Sequence, residues 1–94
     1  MGFAQDGAIE QALGHELIAA GEADQAVEVF EYNAEKHPDT WPVNYGLARG
    51  YSAQGEYRKA LRYLRKALEN APNEPNRNAV QQNIEKLENG EDIN

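Results

Sequence analysis

Two sets of charged residues recur at one spacing, and their types suit electrostatic recognition. Asp24, Glu28 and Glu31 stand at i, i+4 and i+7, which places three carboxylates on one face of a helix (the acidic stripe). Adding 34 to each number gives three guanidinium groups (the basic stripe): Arg58, Arg62 and Arg65. The pattern predicts either surface ion pairs between neighbouring helices, each contributing roughly 0–1 kcal/mol, or recognition of a second molecule through head-to-tail association.

The residues that could carry out a reaction or bind a metal do not form a recognisable constellation. His15 and His37 are the two histidines, and they lie in different predicted helices without a convergent set of ligands. The sequence contains no cysteine, no nucleophile motif and no glycine-rich loop between a strand and a helix. We therefore expect no catalytic activity, no metal and no cofactor, and we interpret His37 as a cap at a helix end.

Glycine and proline divide the chain into five predicted helices. Gly21 and Gly55 each interrupt an apolar periodic pattern, which is typical of a short turn between two helices. Pro38 and Pro72 follow the second and fourth patterns, where a helix must end. The expected helices cover residues of about 7–19, 23–36, 41–53, 56–70 and 75–88.

The chain also matches itself at an offset of 34 residues. Apolar and small positions of the first helix pair recur in the second, and the matched pairs are Leu13 with Leu47, Gly14 with Ala48, Leu17 with Tyr51, Gly21 with Gly55, Ala26 with Ala60, Phe30 with Leu64, and Pro38 with Pro72. A fixed period of this length indicates one helix–turn–helix unit used twice. The small residues predict close approach of paired helices, and the large ones predict the filling between them.

These matched residues resemble the tetratricopeptide repeat. The resemblance implies an all-α fold, a right-handed α-solenoid of antiparallel helix pairs with five helices, formed by two repeats and a solvating cap helix. It divides a single domain, residues 1–94, into repeat one (7–40), repeat two (41–74), a capping helix (75–89) and a frayed tail (90–94). Glu10 and Asn44 replace the aromatic residue usual early in each repeat, and Asn33 stands where Ala67 stands in the second copy.

The resemblance also implies a concave binding surface lined by the first helix of each unit. On this chain the inner groove would present Gln11, His15, Tyr45, Arg49, Ser52, Asn83 and Lys86. Arg49 is the leading candidate, because it is a cation among the short residues Gly46, Gly50 and Ala53, beside Tyr45, where a peptide carboxylate or an acidic helix could dock. Alternatively, Arg49 is an ordinary solvated arginine. The Lys and Asn set with which some family members clamp a terminal carboxylate is not present.

Two functions follow from the resemblance. The first is a non-catalytic interaction module that binds a protein, as a peptide or helix, in the inner groove. The second is a structural appendage or fragment of a longer protein, because residues 30–41 also resemble repeats attached to bacterial hydrolases. An open reading frame continuing upstream of Met1 into an enzyme domain would favour the second.

Net charge narrows the class of partner. The chain carries −7, which argues against nucleic acid and anionic membrane as partners. Residues 1–40 hold nine acidic side chains and one basic, whereas residues 41–74 hold three acidic and six basic. The acidic excess would also suit a high-salt habitat. We expect a monomer with at most weak head-to-tail association, and a cytoplasmic location, since residues 1–6 lack the pattern of a secretion signal.

Overall fold

The computed structural model describes residues 7–94. This part of the chain folds into five α-helices without a strand, which confirms the all-α prediction and places each helix end within one residue of the expected position. The helices are α1 (Ala8–Ala19), α2 (Ala23–Lys36), α3 (Trp41–Ala53), α4 (Tyr57–Asn70) and α5 (Glu74–Glu88). Each helix packs on the next in the chain, and α1 also packs on α3, so α3 lies at the centre of the array.

The two helix pairs close through the same turn. Gly21 and Gly55 adopt φ angles of 81° and 84°, the left-handed region that residues with a Cβ avoid. In both turns the glutamate after the glycine donates its backbone N–H to a carbonyl in the last turn of the preceding helix, at 2.8 and 2.9 Å. In each turn this hydrogen bond satisfies a carbonyl that would otherwise lack a partner. The glycines therefore fix where α1 and α3 end.

Side chains at the matched positions fill the space between the helices. The fully buried apolar residues come from α2 to α5, and the largest of them are Phe30, Leu64, Val43 and Val80. Ala26, Ala48, Ala60 and Ala67 are also fully buried, where a small side chain lets neighbouring backbones come close. The predicted division between large filling residues and small contact residues is therefore confirmed.

Phe30 occupies a space made by three glycines. A Cβ atom built on Gly14 would collide with the end of the Phe30 ring, one on Gly46 would lie 2.8 Å from Phe30 Cδ1, and one on Gly50 would lie 3.0 Å from Phe30 Cδ2. Gly46 and Gly50 therefore face the core. Their expected place in a surface of short residues around Arg49 was wrong, because the ring of α2 covers both of them.

One face of α1 is more exposed than the repeat predicts. Val43 and Leu47 of α3 are 1% and 4% exposed, whereas Ile9 and Leu13 at the matching positions of α1 are 62% and 46% exposed. The expected equivalence of Leu13 and Leu47 was wrong in this respect. α3 packs against α1, α2 and α4, whereas α1 packs against α2 and α3, so fewer elements in residues 7–94 are available to cover Leu13.

A polar network takes the place of apolar packing beside α1. Asn33 is 1% exposed, and its Nδ2 donates to the Gly7 carbonyl at 3.3 Å and to Gln11 Oε1 at 3.2 Å. Gln11 Nε2 in turn donates to the Pro42 carbonyl at 2.9 Å. The two amides thus connect α1, α2 and the start of α3 where the second repeat buries Ala67, although within residues 7–94 Asn33 Oδ1 is buried without a hydrogen-bond partner.

Candidate functional site

The tail was expected to be frayed, but its last residues contact α3. Ser52 Oγ donates to Asp92 Oδ1 at 2.5 Å and accepts from the Ile93 backbone N–H at 3.1 Å. Arg49 Nε donates to Asn94 Oδ1 at 2.8 Å, and Asn94 Nδ2 donates to the Arg49 carbonyl at 2.9 Å. Ser52 is 2% exposed, so the hydroxyl predicted to line the inner groove is covered. Residues 92–94 therefore contact Arg49 and Ser52, and the expected fraying of these residues was wrong.

The Asp92 carboxylate is held in its charged form. Burial raises the pKa of Asp92, but hydrogen bonds from Ser52, from the Asn94 side chain and from the backbone N–H groups of Asn94 and Ile93 outweigh burial and lower it below 3.8. These donors favour the anion, and Ser52 is the one among them that belongs to α3.

His15 of α1 packs on the core, and Arg49 of α3 lies near enough to affect its pKa. The His15 ring packs against Phe30, with centroids 5.7 Å apart and planes tilted by 55°. Burial lowers the pKa of His15 below 6.5, and the positive charge of Arg49 lowers it further. Among residues 7–94, His15 Nε2 has no hydrogen-bond partner, although it is buried. The imidazole is therefore neutral at pH 7, and its ring adds a largely apolar surface near the Arg49 cation.

NMR titration of His15 is expected to give a pKa below 6.5, and Arg49→Gln is expected to raise it. The rise follows because the substitution removes a nearby positive charge, while the larger cause, burial, keeps the pKa below 6.5. Because folding favours neutral His15, its contribution to stability is present above pH 6.5 and is lost as pH falls through the folded-state pKa. A His15 pKa unchanged by Arg49→Gln would contradict the proximity of the two side chains; Arg58→Gln is the matched control, since Arg58 lies on α4.

Of the remaining predicted groove residues, Tyr45, Asn83 and Gln11 form hydrogen bonds between helices, whereas Lys86 does not. Asn83 Nδ2 donates to Tyr45 Oη at 2.8 Å, which links α5 to α3, and the Tyr45 ring lies 5.1 Å from that of Trp41. Gln11 uses both ends of its amide inside the fold, so its role in the structure is to hold helices together. Lys86 is exposed on α5, and its side chain takes part in none of these contacts.

The acidic and basic stripes do not pair with each other in the described part of the chain. Asp24 Oδ1 accepts from Gln54 Nε2 at 2.9 Å, and Glu31 Oε2 accepts from Tyr51 Oη at 2.7 Å, so both acids contact the end of α3. Burial and the Glu31 hydrogen bond raise the pKa of Tyr51. The expected ion pairs between stripes were wrong, because the acids bind uncharged groups of α3, which packs against both α2 and α4.

The basic stripe has one ionic partner within residues 7–94. Arg65 Nη2 lies 3.4 Å from Glu88 Oε2 of α5, and both side chains are more than half exposed. A pair so exposed contributes little to stability, roughly 0–1 kcal/mol. The side chains of Arg58, Arg62 and Glu28 are exposed and make no hydrogen bond or ion pair in this region. No three His, Asp or Glu side chains there lie close enough to hold a metal ion.

Comparison with known families agrees with this architecture. The sequence model of the tetratricopeptide repeat matches residues 17–84, which is more than half of the chain. The chain therefore belongs to the tetratricopeptide repeat family, and its five helices form a helical-repeat fold of that kind. Neither a search of curated proteins nor a search of solved structures gave a match.

Family membership gives a broad functional statement. Tetratricopeptide repeats generally mediate protein–protein interaction and are typically non-catalytic. None of the helices in residues 7–94 combines the length and the apolar character needed to cross a bilayer. The sites on this chain must be argued from its own residues, because a fold does not determine which partner is bound.

Proposed function

We propose that this chain is a non-catalytic interaction module that binds a protein segment, as a peptide or a helix, in its inner groove. The observation that supports the proposal is the convergence of side chains from three helices. The charge of Arg49 on α3 acts on His15 of α1, and Tyr45 of α3 accepts a hydrogen bond from Asn83 of α5. A cation beside neutral aromatic groups suits a partner that carries a carboxylate.

Arg49 is the residue on which this proposal mainly depends. It is partly buried, it is a fixed cation, and its guanidinium already holds a side-chain oxygen, that of Asn94, at 2.8 Å. A buried or half-buried arginine is a frequent centre of binding energy in protein interfaces, where its removal costs about 2 kcal/mol or more. The charge of the whole chain, −7, disfavours nucleic acid and anionic membranes as the ligand.

Charge reversal at Arg49 is the direct test. Pull-down from the source cell with the full chain is expected to recover a partner, and Arg49→Glu is expected to reduce its affinity by about 30-fold, which corresponds to a loss near 2 kcal/mol. Arg58→Glu is the matched control, because it makes the same charge change on the exposed outer side of α4. Unchanged recovery of the partner with Arg49→Glu would contradict binding in the inner groove. Loss of the partner with Arg58→Glu alone would indicate that it binds the basic stripe, as in head-to-tail association.

A second function is favoured by the exposed face of α1. Ile9 and Leu13 are exposed at positions whose equivalents in α3 are buried, so α1 presents apolar surface of the kind that a neighbouring helix covers. The chain would then be a structural appendage or fragment of a longer protein, packed intramolecularly on an adjacent domain. An upstream reading frame that encodes such a domain would support this alternative, and a stop codon in frame immediately upstream of Met1 would contradict it.

A further inference from the structure

The tail leaves α5 through the same turn that closes the two repeats, but it then takes a different course. Gly90 adopts a φ of 79°, and Glu91 donates its backbone N–H to the Lys86 carbonyl at 2.8 Å. The matching turns at Gly21 and Gly55 lead directly into α2 and α4. After Gly90 the chain instead passes over α3. The turn therefore fixes where the tail starts, and the contacts of residues 92–94 fix where it goes.

These contacts resemble those of a bound peptide. The Asp92 carboxylate accepts from Ser52, and the Asn94 carboxamide makes two hydrogen bonds with Arg49, one with the guanidinium and one with the backbone carbonyl. The Ile93 side chain between them is half-buried against the core. A two-point contact with a carboxamide fixes orientation as well as position, as bidentate contacts generally do.

The bound segment is also held in one conformation by its own side chains. Asp92 Oδ1 accepts from the Asn94 backbone N–H at 3.2 Å and from Asn94 Nδ2 at 2.9 Å. This is the pattern of an Asx turn, in which a side-chain oxygen binds the backbone two residues later. A ligand already folded in this way loses less conformational freedom on binding.

The surface that contacts the tail, formed by Arg49 and Ser52, belongs to the second repeat. The positions of repeat one that match Arg49 and Ser52 are His15 and Ile18, 34 residues earlier. Ile18 has no hydroxyl and His15 has no guanidinium, so repeat one cannot make the same set of contacts. The site is therefore specific to α3 and would bind one short segment at a time.

We propose that the surface formed by Arg49 and Ser52 takes a short Asx-turn peptide, with a carboxylate and a carboxamide two residues apart, and that residues 92–94 are its tethered competitor. This inference rests on the proposed function and refines it: the carboxylate of the partner segment binds Ser52, and its carboxamide binds Arg49. A partner binds here by displacing the tail, so its apparent affinity is reduced by the fraction of molecules in which the tail is docked. A tail docked nine tenths of the time reduces the affinity about tenfold.

The test compares the full chain with a variant whose tail cannot dock. Asp92→Ala/Asn94→Ala removes the two tail side chains that form hydrogen bonds with α3, and Glu91→Ala is the matched control, because Glu91 is exposed and its side chain makes none of these contacts. The probe is an acetylated synthetic peptide with the sequence of residues 90–94, titrated into each ¹⁵N-labelled chain. The backbone amides of α3 around Ser52 report binding.

The double variant is expected to bind the peptide about tenfold more tightly than the wild type, with Glu91→Ala equal to the wild type. Adding Ser52→Ala to the double variant is expected to abolish the shifts at α3. Equal affinity of the wild type and the double variant for the peptide would show that residues 92–94 do not compete with it. No binding to either protein would show that Arg49 and Ser52 do not form a peptide site. Partner recovery with Arg49→Glu is measured separately, so the proposed function could survive both results. Asn94→Ala alone is the second variant if the double variant does not fold.

Discussion

Phe30→Ala is expected to lower the free energy of unfolding by about 3–5 kcal/mol, which is the usual cost of removing a buried phenylalanine. Phe30 is 0% exposed, and it packs against His15 of α1 as well as the glycines of α1 and α3. Its removal leaves a cavity where three helices meet. The stability of a chain of this length is on the order of 5–14 kcal/mol, so the variant loses a large share of it.

Urea unfolding followed by circular dichroism measures this loss. Tyr32→Ala is the matched control, because Tyr32 is an aromatic residue of the same helix but is 51% exposed, with Lys36 above its ring. We expect the control to cost about 1 kcal/mol or less, in the range of an exposed cation–π contact. Similar losses for both variants would contradict the central place of Phe30 in the core.

Gly14→Ala is expected to destabilise the protein, although alanine is the better helix former. The propensity gain is about 1 kcal/mol. However, the new Cβ would collide with the end of the buried Phe30 ring, which must then move inside a packed core. Overpacking of this kind costs about 1–3 kcal/mol, and the closeness of the collision places this case at the upper end. The net loss expected in urea unfolding is about 2 kcal/mol.

Gly50→Ala provides the graded comparison. Its Cβ would lie 3.0 Å from Phe30 Cδ2 and 3.0 Å from Val27 Cγ2, so a smaller shift suffices and the net change should stay within about 1 kcal/mol. Phe30→Leu combined with Gly14→Ala should lose less than the sum of the two single losses, because the shorter side chain leaves room for the methyl group. Additive losses, or a Gly14→Ala variant as stable as the wild type, would show that the ring does not restrict position 14.

The helices were predictable because their ends depend on local chemistry. Gly21 and Gly55 supply the left-handed backbone that closes each turn, and Pro38 and Pro72 follow α2 and α4. These glycines and prolines therefore predict the ends of the first four helices to within one residue. The buried positions were predictable for a similar reason. Phe30 and Leu64 share one position in the period, and a position that recurs at fixed spacing meets the same neighbours in each unit.

The exposure of Leu13 and the polar contacts between distant segments were not predictable in the same way. Leu13 matches Leu47 in the repeat, but its burial depends on what lies outside the unit, which periodicity does not specify. Gln11 donates to a carbonyl 31 residues away, and Ser52 contacts Asp92 at a separation of 40. Such contacts depend on the precise placement of distant segments. The short polar tail was expected to fray because composition alone gave no sign of its partners on α3.

The uneven burial of the helices divides the molecule into parts with different lifetimes. Gly14 is the one residue of α1 that is fully buried, whereas α3 buries eight. Local unfolding begins where little apolar surface must be exposed, so α1 should open more often than α3 in native-state hydrogen exchange. Opening of α1 removes Gln11 and His15 from their contacts with α2 and leaves Arg49 and Ser52 in place on α3. The contacts of α1 should thus break and re-form more often than those between α3 and the tail.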